Sequence, residues 1–156
     1  MMSQEVFLSL PNAAATYNLG KSLGENLPAG SAILLEGDLG TGKTTFVQGI
    51  GGGLGINETI DSPTFTLINE YTEGRIPLYH FDLYRLESSE ISGLNLEMYW
   101  EGLEVPFGIV AIEWAEKLVY RPPSFLQVCL SYSEAGDRLA KLVSIGQVDW
   151  DLEKIL

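Results

Sequence analysis

The sequence predicts a three-layer α/β fold, with a mostly parallel sheet and antiparallel hairpins, and three observations carry the prediction. First, the apolar run Ala32-Ile33-Leu34-Leu35 suits a buried strand, residues 44–50 can open a helix, and the loop between them reads Gly37-Asp38-Leu39-Gly40-Thr41-Gly42-Lys43-Thr44. That loop has the spacing G-x-x-x-x-G-K-T of a P-loop, in which glycines let backbone N–H groups turn toward a polyphosphate. Second, Gly108-Ile109-Val110-Ala111-Ile112-Glu113 is the purest apolar run in the chain. A continuous run of this kind marks a strand covered on both faces, as at the centre of a parallel sheet. Third, two pairs of alternating segments flank short polar turns, which reads as hairpins. The chain therefore reads as one P-loop NTPase-like domain over residues 1–156, with no internal repeat or linker.

Taken in order, Glu5–Leu10 reads as a first strand and Pro11-Asn12 as a turn, with Asn12 suited to cap a helix. Ala15, Leu19, Leu23 and Leu27 recur every four residues, which gives a helix with one apolar stripe. The helix after the P-loop is expected to stop near Ile50, because Gly49, Gly51, Gly52, Gly53 and Gly55 follow closely. Each glycine costs a helix about 1 kcal/mol relative to alanine. Residues 65–71 and 76–82 read as an antiparallel pair around the turn Thr72-Glu73-Gly74-Arg75, with Pro77 near a strand start or at an edge. Residues 87–103 suggest short helices with loops, and residues 114–119 one or two helical turns. Phe125–Tyr132 and residues 139–145 read as a closing hairpin, and residues 149–156 hold a last short helix.

The chemistry should gather at the P-loop. Lys43 is placed to reach the β- and γ-phosphates as a point charge, and the Thr44 hydroxyl can ligate Mg²⁺. Such a site needs a further acid at the tip of a neighbouring strand. Glu113 ends the buried run and Asp82 ends residues 78–81, so either can face the ligand crevice at the carboxyl ends of the strands. Thr64 and Thr66, beside Ser62-Pro63, can form a switch that senses the γ-phosphate, although a turn entering a strand has the same pattern. His80 is the sole histidine and reads as structural, Trp114 as packing, and Arg138 either as a solvated turn residue or as a planar cation reaching the nucleotide.

Composition narrows the class further. Charged residues make up 19 % and hydrophobic residues 46 %, as in a folded globular protein. A formal charge of −12, from 9 basic and 21 acidic residues, argues against direct binding to RNA phosphates. One cysteine, Cys129, excludes an internal disulfide framework and reads as an inert thiol. Neither a signal peptide nor a membrane span is expected, so a cytoplasmic protein fits. The chain lacks an N/T-K-x-D guanine-reading motif, an L-S-G-G-Q-like signature and an arginine-rich lid.

Several segments together resemble one family, the bacterial TsaE (YjeE) P-loop ATPases of tRNA threonylcarbamoyladenosine biosynthesis. They are residues 37–46, Ser62-Pro63-Thr64-Phe65-Thr66-Leu67, His80-Phe81-Asp82-Leu83-Tyr84-Arg85-Leu86 and Ile112-Glu113-Trp114, in matching order and spacing over nearly the whole chain. The resemblance implies an ATPase, with ADP as product, that works with TsaD- and TsaB-type partners and meets tRNA only through them. It also implies that Thr44 and Glu113 hold Mg²⁺, and that Asp38, Leu39, Gly40, Thr41, Gly42, Lys43, Thr44 and Thr45 bind the phosphates. Asp82 would be needed for turnover, and the segment starting at Ser62, which includes Thr64, would act as a switch. Asn12, Thr16 and Arg138 would lie at the adenine. Two other classes fit the residues: a small-molecule phosphotransferase with its acceptor near Asp82, and a nucleotide-sensing interaction module.

Overall fold

In the computed structural model, which describes residues 4–38, 40–63 and 67–156, β1 (Glu5–Leu10) leads into α1 (Ala13–Asn26). Asn12 caps that helix: its Oδ1 accepts from the Ala15 N–H at 2.9 Å and satisfies a donor that has no partner within the helix. β2 (Ala32–Glu36) and α2 (Lys43–Leu54) follow, then the antiparallel pair β3 (Ile68–Tyr71) and β4 (Leu78–Asp82). The short helices α3 (Ser88–Ser92) and α4 (Glu97–Glu101) precede β5 (Ile109–Glu113). A 3₁₀ turn at Ala115–Lys117, the hairpin of β6 (Phe125–Tyr132) and β7 (Arg138–Ile145), and α5 (Leu152–Ile155) complete the order.

These strands form one sheet in the order β1-β7-β6-β2-β5-β4-β3. β6, β2, β5 and β4 run parallel at its centre, while β7 and β3 run antiparallel to their neighbours. The expected class is therefore the one observed. Ile33, Leu34 and Leu35 of β2 are fully buried because helices cover both faces. Leu23 of α1, Phe46 and Ile50 of α2 and Leu152 of α5 form one core with Leu35 and Ala111. Ile91 and Trp100 form the other with Leu34, Phe81 and Ile112.

Some element ends differ from expectation. α2 does not stop near Ile50 but runs to Leu54. The reason is tertiary. A Cβ at Gly49 would stand 2.1 Å from the Tyr17 carbonyl oxygen, and one at Gly53 would stand 2.2 Å from that of Lys21. From the opposite helix, Gly20 and Gly24 abut the carbonyls of Phe46 and Ile50 just as closely. The glycines that weaken α2 in isolation let α1 and α2 pack backbone against backbone, and the helix ends instead at Gly55 with φ 86°. Among the described residues β3 begins at Ile68, and residues 65 and 66 of the expected strand lie outside them. β4 begins just after Pro77, which has no N–H to give to a ladder. Residues 114–119 yield only one 3₁₀ turn. The last helix is confined to Leu152–Ile155, with the Asp151 side chain accepting from the Glu153 N–H.

Candidate functional site

The loop between β2 and α2 opens beside the carboxyl ends of β5 and β4. Leu35 is in register with Glu113, and Glu113 with Asp82, so the two predicted acids stand side by side next to the loop. Alternation along the strands puts His80, Asp82 and Glu113 on the face that carries α1 and α2. Gly42 starts α2 with φ 100°, a left-handed conformation that glycine adopts without strain. The Thr41 hydroxyl closes the loop by donating to the Asp38 carbonyl at 2.8 Å.

Lys43 is 6 % exposed. Its Nζ donates to the carbonyls of Gly37 and Asp38 and stands 3.9 Å from the centroid of the Trp114 ring. Burial holds the ammonium below the ordinary lysine range, against the opposing pull of Glu113, Glu116, Asp82 and Asp38. Trp114 itself has φ 60°, an outlier for so bulky a residue, and its ring also meets Tyr84 at 4.9 Å between centroids. Outliers of this kind cluster at functional sites.

Below the lysine runs a chain of polar contacts. Thr44 Oγ1 is 2.9 Å from Ser62 Oγ, Ser62 Oγ donates to Glu113 Oε2 at 3.5 Å, and Glu113 Oε2 meets His80 Nε2 at 2.5 Å. Gln48 holds the Ile60 carbonyl and Asn69 the Asp61 carbonyl, which ties down the segment that delivers Ser62. Asp82 is half-buried, and its Oδ1 accepts from the Tyr84 N–H at 3.0 Å. Burial raises its carboxyl above the usual range, the Tyr84 N–H opposes the rise, and nearby Glu113 adds to it.

A cavity of about 370 Å³ joins these groups, lined among others by Lys43, Thr44, Thr45, Asp82, Glu113 and Arg138. Arg138 Nη1 donates to Thr16 Oγ1 at 3.0 Å and Nη2 to the Tyr132 hydroxyl at 3.3 Å. Its Nε is buried with no partner among the described residues. Gly40 and Gly42 also line the cavity, whereas Asp38 and Thr41 shape the loop from outside it. Thr16 is buried behind Arg138, and the Asn12 side chain is engaged as the α1 cap while neighbouring Ala13 faces the cavity. Leu39 and Thr64 lie outside the described residues.

His80 read from the sequence as structural, Trp114 as packing, and Ser62 only as the start of the switch segment; the structure brings all three against the Lys43–Thr44–Glu113 group. The available signal for His80 was its position two residues before Asp82, on the same strand face. Trp114 carries no such signal, because its reach to Lys43 depends on a backbone conformation.

The donor set can be tested against the groups that a P-loop implies. A buried lysine, a partnerless arginine Nε and a loop bounded by glycines fit an anionic polyphosphate. Among the described residues no cluster of three or more His, Cys, Asp or Glu could hold a metal. Thr44 and Ser62 hydroxyls beside Glu113 instead offer hard oxygens with a single carboxylate among them. That suits Mg²⁺, which keeps several waters and shares its shell with substrate phosphates. Cys129 lies apart from the cavity near Glu36, and its thiol is pushed up to about 11 by burial and by that carboxylate.

A parallel-centred sheet with this loop at its carboxyl edge defines an α/β fold of the P-loop class. Residues 10–140 match the family model described as threonylcarbamoyl adenosine biosynthesis protein TsaE, and the chain belongs to that family. It is 60 % identical over 141 residues to the tRNA threonylcarbamoyladenosine biosynthesis protein TsaE of Nostoc sp., covering 90 % of this chain and 87 % of the relative. The Bacillus subtilis protein of the same name is 38 % identical over 136 residues, covering 86 % and 83 %. The crystal structure of Bacillus subtilis YdiB superposes with a TM-score of 0.77 at 33 % identity, covering 94 % of this chain and 89 % of that one. Among the described residues no helix is long and apolar enough to cross a membrane.

Proposed function

We propose that this chain is a Mg²⁺-dependent ATPase of low intrinsic activity. In this reading it is cytoplasmic and serves threonylcarbamoyladenosine modification of tRNA by acting on a TsaD–TsaB-type complex. The observation that carries the reading is the convergence of Lys43, Thr44, Asp82 and Glu113 on one cavity beside the P-loop. Family membership supplies the pathway.

Lys43 leaves its loop carbonyls to pair with the β- and γ-phosphates of ATP, a better partner for a partly desolvated cation. Thr44 and Glu113 hold Mg²⁺, with Ser62 as the hydroxyl between them. When bound, the ion neutralises charge that develops on the transferring phosphoryl group. Asp82 orients the attacking water, and its raised pKa suits it to accept a proton. Arg138 and Thr16 frame the nucleoside end. The bond from the γ-phosphorus to the β–γ bridging oxygen breaks as water adds, ADP and inorganic phosphate are the products, and hydrolysis is coupled to remodelling or resetting the partner complex.

The test is to follow ATP consumption by the purified chain alone, with a panel of small hydroxyl acceptors, and with TsaD–TsaB-type proteins. Stimulation by the proteins alone supports the reading. Phosphorylated small acceptors would replace it with a phosphotransferase.

A further inference from the structure

We infer that His80 is a positioning residue for the metal-holding carboxylate, an inference that rests on the reading of Glu113 above. His80 and Glu113 face each other across neighbouring parallel strands, with His80 in register with Ala111. His80 is 0 % exposed and Glu113 2 %. Their contact, Nε2 to Oε2 at 2.5 Å, is short even for a charge-assisted hydrogen bond. A carboxylate only accepts, so Nε2 carries the proton and donates. Nδ1 is buried without a partner among the described residues.

The cost of that arrangement is what points to a function. Leu78, on the same strand face, shows that an aliphatic side chain is accommodated in this core. An aliphatic residue at position 80 would leave no buried nitrogen unpaired, whereas among the described residues the imidazole finds a partner for only one of its two. What the imidazole adds is a fixed donor beneath the glutamate. Glu113 sits at a strand end with a flexible side chain, and His80 pins Oε2 from below while Ser62 approaches the same oxygen from the switch side. With Oε2 held in this way, the carboxylate keeps one orientation toward Ser62 and Thr44, where the cation would sit. Partners of this kind orient a ligand and raise its basicity, and their loss typically weakens metal binding about 10–100-fold.

Two measurements on the full chain test this. Because His80 is the sole histidine, a ¹⁵N-labelled sample gives a single imidazole signal set. The expected result is the Nε2–H tautomer, with a strongly downfield proton that moves in Glu113→Gln. An Nδ1–H tautomer, or signals indifferent to Glu113→Gln, overturns the inference without any variant of His80 having to fold. The second measurement is Mn²⁺ affinity in the presence of ADP, read by electron paramagnetic resonance, with ADP affinity in chelator as the control. His80→Met, close in volume but without a donor, should weaken Mn²⁺ roughly tenfold or more and leave metal-free ADP binding intact. His80→Gln, which keeps an N–H, should recover most of the loss. Wild-type Mn²⁺ affinity in His80→Met beside a large loss in Glu113→Ala overturns this inference alone. Wild-type affinity in Glu113→Ala overturns the reading of Glu113 and the inference with it.

Discussion

Thr44 and Glu113 approach a common point through Ser62, 18 residues from one and 51 from the other along the chain. If both hold the same ion, each truncation should act through metal. Thr44→Ala and Glu113→Ala are expected to raise the Mg²⁺ concentration for half-maximal hydrolysis, with a smaller effect on metal-free nucleotide affinity. A wild-type Mg²⁺ curve for Glu113→Ala beside a shifted one for Asp82→Ala would mean that the two carboxylates exchange roles. Asp82 makes a separate prediction about stability. Burial raises its pKa in the folded chain above the unfolded value, so folding favours the protonated form. Its ionisation therefore costs stability once pH passes the unfolded carboxylate range, and the cost is complete above the folded pKa. Asp82→Asn should match wild type at about pH 3, below the unfolded carboxylate range, and be more stable at about pH 7, by less than about 1 kcal/mol given its partial exposure. Urea denaturation in chelator across that range measures the difference, and a pH-independent gap would contradict the assignment. An active-site carboxylate that lowers stability is a common trade against function.

At the scale of elements, the α1–α2 crossing is the contact on which the P-loop helix depends. In Gly49→Ala the new Cβ would meet the Tyr17 backbone oxygen at 2.1 Å, and neither helix can yield without moving as a unit. Gly52→Ala would instead meet the Tyr17 hydroxyl, the far end of a side chain that can swing away. The first should destabilise by roughly 3 kcal/mol, as severe overpacking does. The second should come out near neutral, because a gain of about 1 kcal/mol in helix propensity offsets the rearrangement. Chemical denaturation of the two variants separates these outcomes. The same crossing explains what could be read in advance. The P-loop, β5 and the acid at its end were legible because each is a local pattern over a few residues. The end of α2 was not, because Gly49 and Gly53 are costly in one helix and necessary between two. Asn12 was legible as a cap because capping is local. The His80–Glu113 contact depends on β4 and β5 being neighbours in register, and no pattern within either strand states that. The Arg138–Thr16 bond spans 122 positions and depends on the same kind of long-range pairing.

For the molecule as a whole, the balance of 9 basic against 21 acidic residues is reinforced by where the cations sit. Arg75 donates to the carbonyls of Gly24 and Leu27 at the end of α1, and Lys117 to those of Tyr84 and Leu86. Arg121 lies 3.8 Å from Glu36, and Lys141 3.5 Å from Glu5. The isolated chain should therefore bind tRNA poorly at physiological salt, since binding through phosphates requires several free cations and weakens steeply as salt rises. A titration with tRNA, with and without TsaD–TsaB-type partners, checks this, and tight binding by the lone chain would contradict it. With Arg75 engaged as a helix cap, it is not available to stabilise a γ-phosphoryl transition state. Arg121 lies beside Glu36, and Arg138, though it lines the cavity, is held by Thr16 and Tyr132 at the end assigned to the nucleoside. Without an arginine on the γ-phosphoryl group a site forgoes roughly 10³–10⁵ in rate, which is why stimulation is expected from partners. In the proposed function, nucleotide turnover at Lys43 drives tRNA modification. The most direct measurement is formation of threonylcarbamoyladenosine on tRNA over repeated cycles, in a reconstituted system with TsaD- and TsaB-type proteins, a source of threonylcarbamoyl-adenylate, and either the wild-type chain or Lys43→Ala. Multiple turnovers are expected with wild type, and with Lys43→Ala a folded protein that loses ATP hydrolysis and fails to sustain modification. Equal modification by both, with ATP affinity and hydrolysis unchanged in Lys43→Ala, would contradict it.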